Sequence, residues 1–201
     1  MPFDKDLRLL AVVTGPSGSG KTTITRGVVV SCSDLVGKVI TTTTRLPREG
    51  ERQGVHYDFL SPDVFDAGVC AGEFIEHQKH YGFRYGTRRI RLMETFGEHR
   101  VALVCLDPVG ALALQKVYRD TPMLSIFIQP ANLSELAERM VDRGDRPGEL
   151  DRRISAVTAE MALAKQFDHQ VVNGNGQQKR ATQEVISLIT NYLAMLSNKQ
   201  Q

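Results

Sequence analysis

The chain has 201 residues, of which 41% are hydrophobic and 24% are charged, and its formal net charge is +2. This length suits one domain with a hydrophobic core, and the small charge argues against a nucleic-acid partner. The apolar segments are too short to span a membrane, and "MPFDKDLR" lacks the apolar core of a signal peptide. Cys32, Cys70 and Cys105 are scattered and fit neither a disulfide framework nor a zinc site, so we expect a cytoplasmic protein.

The first half of the chain begins with a buried strand and a helix and then changes character. Short aromatic and polar segments follow, and Ser61 and Pro62 are typical of a helix start. In chain order the predicted elements are a strand Leu9–Thr14, a helix from Thr22 to about Ser31, a β-rich run "GKVITTTT", a strand "VHYDFL", a helix from "SPDVF" and a helix "RRIRLMETFGEH".

The second half of the chain alternates apolar strands with amphipathic helices. Asn132 and Glu135 form a variant of the capping box, and "DRGDRPGELD" is too charged and turn-rich for a helix or a strand. The predicted order is a strand "RVALVCLD", a helix from about Gly110, a strand "MLSIFIQP", a helix "NLSELAERMVDRG", a flap, a helix "RRISAVTAEMALAKQF", a strand "HQVVNG" and a helix "QEVISLITNYLAML".

This order predicts an α/β fold with a mostly parallel sheet flanked by helices. We divide the single domain into a core, an inserted α+β acceptor-binding lobe and a short lid. The core comprises residues 1–37, 88–142 and 154–201, the lobe residues 38–87, and the lid residues 143–153.

The segment "GPSGSGKTT" matches the pattern G-x-x-x-x-G-K-[ST] between a predicted strand and a predicted helix. Glycines let backbone N–H groups converge on an anion, and the helix N-terminus adds positive potential. Lys21 is expected to reach the β- and γ-phosphates of a nucleoside triphosphate, and the Thr22 hydroxyl to coordinate Mg²⁺. The predicted triphosphate-binding residues are Gly15, Pro16, Ser17, Gly18, Ser19, Gly20, Lys21, Thr22 and Thr23.

A phosphate loop alone does not separate a GTPase from a small-molecule kinase. Asp107 and Gly110 follow an apolar strand, as in the magnesium motif of a GTPase. However, the chain has no Asn-Lys-x-Asp motif after a later strand, which argues against a GTPase.

The segment "TTTTRLPREGERQGVHYDF" favours a kinase. Arg45 and Arg48 can converge on one dianionic group, and Tyr57 offers a further donor. The nearby "GEFIEH" carries two glutamates, Glu73 and Glu76. This combination suits a nucleoside monophosphate, whose phosphate needs arginines and whose base needs carboxylates and hydroxyls.

These segments together resemble the guanylate kinase family, and the resemblance covers nearly the whole chain. It rests on the phosphate loop, on "TTTTRLPREGERQGVHYDF", on "GEFIEHQKHYGFRYGT", on "SIFIQP" and on "RMVDRG". It implies transfer of a phosphoryl group from ATP, the co-substrate, to GMP, with Mg²⁺ as cofactor. The implied partners are these small molecules, without nucleic acid or membrane, and either a monomer or a homodimer remains open.

The resemblance also implies roles for individual residues. The GMP phosphate would meet Arg45, Arg48, Tyr57 and Tyr85, and the guanine would meet Thr41, Glu76, Thr87 and Asp107. The implied catalytic residues are Lys21 and the lid arginines Arg139, Arg143 and Arg153, with Arg152 as the alternative to the last.

The chain departs from the family pattern at several positions. The family's usual Asp-x-Asp is replaced by "CLD", which ends at Asp107, and its usual Gln-Gly is replaced by Val109-Gly110. The lid is about one residue shorter than is usual in the family. Two alternatives therefore stay open. One is a kinase for another phosphorylated acceptor such as a sugar phosphate, and the other is a non-catalytic guanylate-kinase-like binding module, against which Lys21 and Thr22 argue.

Overall fold

The computed structural model describes residues 8–80, 82–118, 121–136 and 147–199, and of residues 147–154 it describes the backbone alone. Its centre is a five-stranded sheet in which all described pairings are parallel. The strand order is β2-β7-β1-β8-β9, with β1 at Leu9–Thr14, β2 at Val36–Lys38, β7 at Val101–Cys105, β8 at Met123–Gln129 and β9 at His169–Val172.

Helices cover both faces of this sheet, because its central strands are apolar on both sides. On β1, Leu9, Ala11 and Val13 pack into one hydrophobic cluster, and Leu10 and Val12 pack into the other. The helices are α1 (Lys21–Ser31), α2 (Pro62–Cys70), α3 (Arg89–Glu98), α4 (Pro108–Val117), α5 (described over 133–136), α6 (Pro147–Ala162) and α7 (Gln178–Asn198). Helices α1 and α7 lie over the first cluster, and α3 and α4 lie over the second.

A second, four-stranded sheet follows β2 in the chain, and we call it the acceptor sheet because most of it falls in the predicted acceptor-binding lobe. Its order is β4-β3-β6-β5, with β3 at Thr42–Thr43, β4 at Asp58–Phe59, β5 at Phe74–His80 and β6 at Phe83–Arg88. A bidentate ion pair joins this sheet to the core, since Arg91 on α3 donates to both oxygens of the buried Asp58 at 2.7 and 2.8 Å.

The structure confirms the fold class and both predicted helix caps. The Ser61 hydroxyl accepts from the Val64 amide. Asn132 Oδ1 accepts from the Glu135 amide, and Asn132 Nδ2 donates to Glu135 Oε1, which is the predicted variant of a capping box.

Several predicted boundaries were wrong. The strand predicted at "VHYDFL" is limited to Asp58–Phe59, and the helix predicted at "RRISAVTAEMALAKQF" already ends at Ala162. Helix α4 begins at Pro108 rather than near Gly110, because Asp107 caps it.

The predicted flap was also wrong in part, because α6 already begins at Pro147. Proline fits the first turn of a helix, and the acidic residues that follow in "PGELD" suit a helix N-terminus. Residues 143–146 lie outside the described residues. Across the described part of the chain, no helix combines the length and the apolar character that a membrane span needs.

Candidate active site

The phosphate loop connects β1 to α1 at the carboxyl edge of the core sheet. Its glycines Gly15, Gly18 and Gly20 have φ angles of 137°, 84° and 90°, which residues with a side chain rarely adopt. The loop therefore turns tightly before α1, and the first turn of that helix points at the space beside the loop. This is the arrangement that binds phosphate groups.

Lys21 lies in the first turn of α1 and folds over the loop. Its Nζ donates to the carbonyl oxygens of Gly15 and Pro16 at 2.6 and 2.8 Å. Thr22 and Thr23, the next two residues, are exposed. The structure thus brings the predicted triphosphate-binding residues together in one loop and helix start.

Two residues that the sequence analysis did not single out contact this loop. The Ser17 amide donates to Glu160 Oε2 on α6 at 3.3 Å, and Asn173 Nδ2 donates to the Ser19 carbonyl at 2.7 Å. Asn173 directly follows β9, so the rule that functional residues follow the carboxyl ends of parallel strands could have indicated it. Glu160 carries no comparable signal, because it lies inside a helix 143 residues away from Ser17.

The acceptor sheet faces the phosphate loop across Glu160. Glu160 Oε1 lies 4.0 Å from His80 Nε2 at the end of β5, while Oε2 contacts the loop. Burial raises the pKa of Glu160, although the nearby Lys21 ammonium acts in the opposite direction. The two halves of the site are therefore close neighbours.

Glu76 and Thr87 form the buried end of the acceptor sheet. They are directly opposite each other on β5 and β6, and the Thr87 hydroxyl donates to Glu76 Oε1 at 2.7 Å. Thr41, which precedes β3, is also buried. A buried carboxylate with hydroxyls beside it can accept hydrogen bonds from a ligand through its remaining oxygen.

Asp107 lies near Glu76 and connects the acceptor sheet to the core. Its Oδ1 accepts from the amides of Val109 and Gly110, both at 3.0 Å, and its Oδ2 accepts from Gln78 Nε2 on β5. The carboxylate thus has two tasks in the structure, because it caps α4 and holds β5.

The other end of the acceptor sheet carries the basic and phenolic side chains. Arg45 Nη2 donates to Glu51 Oε1 at 2.9 Å, and its guanidinium lies 5.6 Å from the ring centre of Tyr57. Tyr57 in turn lies 6.3 Å from Tyr85, centre to centre. Burial raises the pKa of Tyr57, so its phenol stays protonated and remains a donor at neutral pH.

Arg48 is exposed, and its backbone amide donates to Glu51 Oε2 at 2.8 Å. Burial opposes the ionisation of Glu51, but the Arg48 amide and the Arg45 guanidinium outweigh it and lower the pKa of this carboxyl. Glu51, which the sequence analysis did not single out, therefore orders the loop that carries both arginines. Four of the predicted acceptor residues, Arg45, Arg48, Tyr57 and Tyr85, share this end.

The lid residues cannot be placed in the same way. Arg139 and Arg143 lie outside the described residues, and Arg153 and Arg152 belong to the part of α6 of which only the backbone is described. Their roles stay predictions.

Glu76 gives the structure a pH dependence that can be measured. Burial raises the pKa of Glu76 to about 7. The nearby charge of Asp107 acts in the same direction, and the hydrogen bond from Thr87 opposes it. The folded state therefore binds the carboxyl proton of Glu76 more tightly than the unfolded state does. This proton binding stabilises the fold fully below the unfolded pKa of Glu76, and the stabilisation is lost as the pH rises through about 7.

We expect the free energy of unfolding of Glu76→Gln to rise relative to that of the native chain between pH 4.5 and 7, by up to about 1.4 kcal/mol per pH unit. Urea unfolding of both proteins at half-unit pH intervals measures the difference. A difference that stays constant over this window would contradict the raised pKa.

Comparison with protein families and with solved structures agrees with this geometry. The family model described as guanylate kinase matches residues 8–192. The chain is 36% identical over 165 residues to the guanylate kinase of Alkalilimnicola ehrlichii, which covers 82% of this chain and 80% of that protein. It is 36% identical over 185 residues to the guanylate kinase of Chlorobium chlorochromatii, covering 92% and 95%.

Two solved structures share the fold. A guanylate kinase from Anaplasma phagocytophilum superposes with a TM-score of 0.72 at 23% identity, covering 92% of this chain and 86% of that one. A shikimate kinase from Acinetobacter baumannii, solved with shikimate, gives a TM-score of 0.52 at 16% identity and covers 98% and 97%. With the family match over most of its length, the chain belongs to the guanylate kinase family.

Proposed function

We propose that this protein transfers the γ-phosphoryl group of ATP to GMP, giving ADP and GDP. The proposal rests on the carboxylate of Glu76, which is buried and accepts a hydrogen bond from Thr87 through one oxygen. Guanine presents two adjacent donors, N1–H and the 2-amino group, beside the acceptor O6. The carboxylate accepts from the donors, and the Thr41 hydroxyl donates to O6, because the one hydroxyl proton of Thr87 is already donated to Glu76.

The phosphate of GMP lies at the other end of the same sheet. Arg45, Arg48, Tyr57 and Tyr85 supply donors there, and the first two can bind a dianion as charge-assisted pairs. The acceptor is itself a phosphate oxygen, so no side-chain nucleophile is needed. Catalysis consists of holding the two phosphates in line and stabilising the charge that develops between them.

Lys21 stabilises that charge on the donor side. Its ammonium has three protons, and the loop carbonyls that hold it fix its position beside the expected β- and γ-phosphates. We assign the same electrostatic role to Arg139, Arg143 and Arg153, whose lid would exclude water as an alternative acceptor.

The residues present fit a magnesium ion. Mg²⁺ is bound by few protein oxygens and completes its shell with waters and substrate phosphates. The exposed Thr22 hydroxyl, next to Lys21 on α1, is such an oxygen. When bound, the ion neutralises charge on the transferred phosphoryl group.

We also propose a cytoplasmic location, because Cys32, Cys70 and Cys105 are free thiols, which suits a reducing compartment. ATP and GMP are the proposed partners, without nucleic acid or membrane.

Arg48→Ala is expected to raise the KM for GMP about ten- to a hundredfold while the KM for ATP stays within about twofold. The reason is that the exposed Arg48 side chain meets only the acceptor phosphate, and a charge-assisted hydrogen bond contributes about 1.5–3 kcal/mol. Steady-state kinetics with each substrate varied in turn measures both constants. Arg52→Ala, an exposed arginine of the same loop, is the control and should change neither. If Arg48→Ala raised the KM for GMP and the KM for ATP equally, Arg48 would not be part of the acceptor site.

The proposed reaction is tested by measuring ADP release with ATP, Mg²⁺ and a panel of acceptors: GMP, inosine monophosphate (IMP), AMP, CMP, UMP and ribose 5-phosphate. A reaction without acceptor measures hydrolysis. We expect GMP to give the highest kcat/KM, and chromatography to show GDP formed in equal amount with ADP. If ADP is released faster with ribose 5-phosphate than with GMP, the substrate is the sugar phosphate and not GMP. ADP release that no acceptor increases would contradict the kinase reaction.

A further inference from the structure

Gln78 lies on the face of the acceptor sheet that carries the candidate acceptor residues. Glu76, two residues earlier on β5, shares this face because side chains alternate along a strand. Glu76 is opposite Thr87 on β6, and Gln78 is opposite Tyr85. Gln78 therefore lies between the end of the sheet assigned to the base and the end assigned to the phosphate.

The side chain of Gln78 reaches from this sheet to the core. Its Nε2 donates to Asp107 Oδ2, and the same carboxylate accepts through Oδ1 from two amides at the start of α4. A carboxylate has about four acceptor positions. Three are occupied here, so one position on Oδ2 is left, and the Gln78 bond determines the direction in which that position points.

Gly110 makes room for this contact. A Cβ atom at Gly110 would lie 2.6 Å from Gln78 Nε2 and 3.2 Å from Glu76 Oε2. Both groups therefore approach the same small space beside α4, and any side chain at Gly110 would displace them. The Gln78 amide donor thus lies near both carboxylates, Glu76 and Asp107, and reduces the repulsion between them.

We propose that Gln78 is a positioning residue for base selection, which holds the Asp107 carboxylate so that its remaining lone pair accepts from the 2-amino group of the purine. This inference rests on the proposed function. Glu76 has one oxygen bound to Thr87, so its Oε2 serves N1–H and one proton of the 2-amino group. The second proton of that group needs a second acceptor, which the oriented Asp107 supplies.

Inosine monophosphate (IMP) separates this role from a general structural one. It keeps N1–H and O6 but lacks the 2-amino group, so it cannot use Asp107 in the proposed way. A change that acts through Asp107 should therefore affect GMP and leave IMP nearly unchanged. A change that distorts the sheet should affect both.

The test compares kcat/KM for GMP and for IMP in the native chain and in Gln78→Met, which keeps the size of the side chain and removes its donor. A hydrogen bond to a charged group corresponds to about tenfold or more, so we expect the GMP-over-IMP ratio to fall about tenfold. The value for IMP should change less than about threefold. Gln170→Met, the same change at an exposed position of β9, is the control and should leave the ratio unchanged.

A double-mutant cycle with Asp107→Asn completes the test. If Gln78 acts through Asp107, Gln78→Met should have little further effect on the ratio once Asp107 is replaced. Equal losses for GMP and IMP, or full additivity in the cycle, would overturn the proposal. If Gln78→Met fails to fold, Gln78→Ala is measured in its place with the same expected ratio.

Failure of this proposal is distinguishable from failure of the proposed function. A native chain that phosphorylates GMP, together with an unchanged ratio in Gln78→Met, would refute only the role of Gln78. A native chain that does not phosphorylate GMP would refute both.

Discussion

Lys21→Ala is expected to lower kcat for phosphoryl transfer by about a hundredfold or more, the loss typical of removing one preorganised donor from a transition state. The ammonium is held by two carbonyls of the loop, so it needs little rearrangement to meet the charge of the transferred group. Alanine ends at Cβ, so it leaves neither a charge nor a donor at the position of the ammonium. Rates under saturating ATP and GMP measure the effect.

The control for this variant is Lys179→Ala, because Lys179 is exposed in the first turn of α7. It should keep the native rate. Thermal unfolding of Lys21→Ala checks that the loop still folds, and GMP binding by calorimetry should stay close to native. A Lys21→Ala enzyme within about tenfold of the native rate would show that this lysine supplies less than about 1.4 kcal/mol to the transition state.

Local patterns were sufficient to predict the elements that carry the site. The phosphate loop was predicted because a buried strand, glycines and a helix start are all short-range signals. The caps at Ser61 and Asn132 are equally local, and both are confirmed. The start of α6 at Pro147 was missed because the charge and turn content of that segment was given more weight than the fitness of proline for a first helical turn.

Contacts between distant segments could not be predicted in this way. Asn173 and Ser19 are 154 residues apart, and Glu160 and Ser17 are 143 residues apart, so only the tertiary fold brings them together. The bond from Gln78 to Asp107 has the same origin, since one residue is on the acceptor sheet and the other follows a core strand. Glutamine at an alternating strand position is ordinary, and nothing local indicates a partner on another element.

The base-reading assignment meets its strongest test at Glu76. In Glu76→Gln the amide oxygen can still accept from the Thr87 hydroxyl, as Oε1 does at 2.7 Å. The amide nitrogen then takes the place of Oε2 and presents a donor where guanine also presents donors. The substitution therefore removes the charge and reverses one hydrogen bond, while the size of the side chain is preserved.

We expect kcat/KM for GMP to fall by about a hundredfold or more in Glu76→Gln, because sites built to hydrogen-bond a substrate reject a mismatched partner by up to about 10⁴–10⁵. The GMP-over-AMP ratio should shrink, since the new donor can meet the lone pair at N1 of adenine. The KM for ATP should stay near its native value. The native kcat/KM for GMP should rise with pH through about 7 as Glu76 ionises, and the rise in the variant should be smaller, because only the GMP phosphate then titrates in this range. Steady-state kinetics with GMP and AMP between pH 5.5 and 8.5 measures all of these. An enzyme that kept the native rate, base preference and pH profile would show that Glu76 is an ordinary buried polar residue that does not select the base.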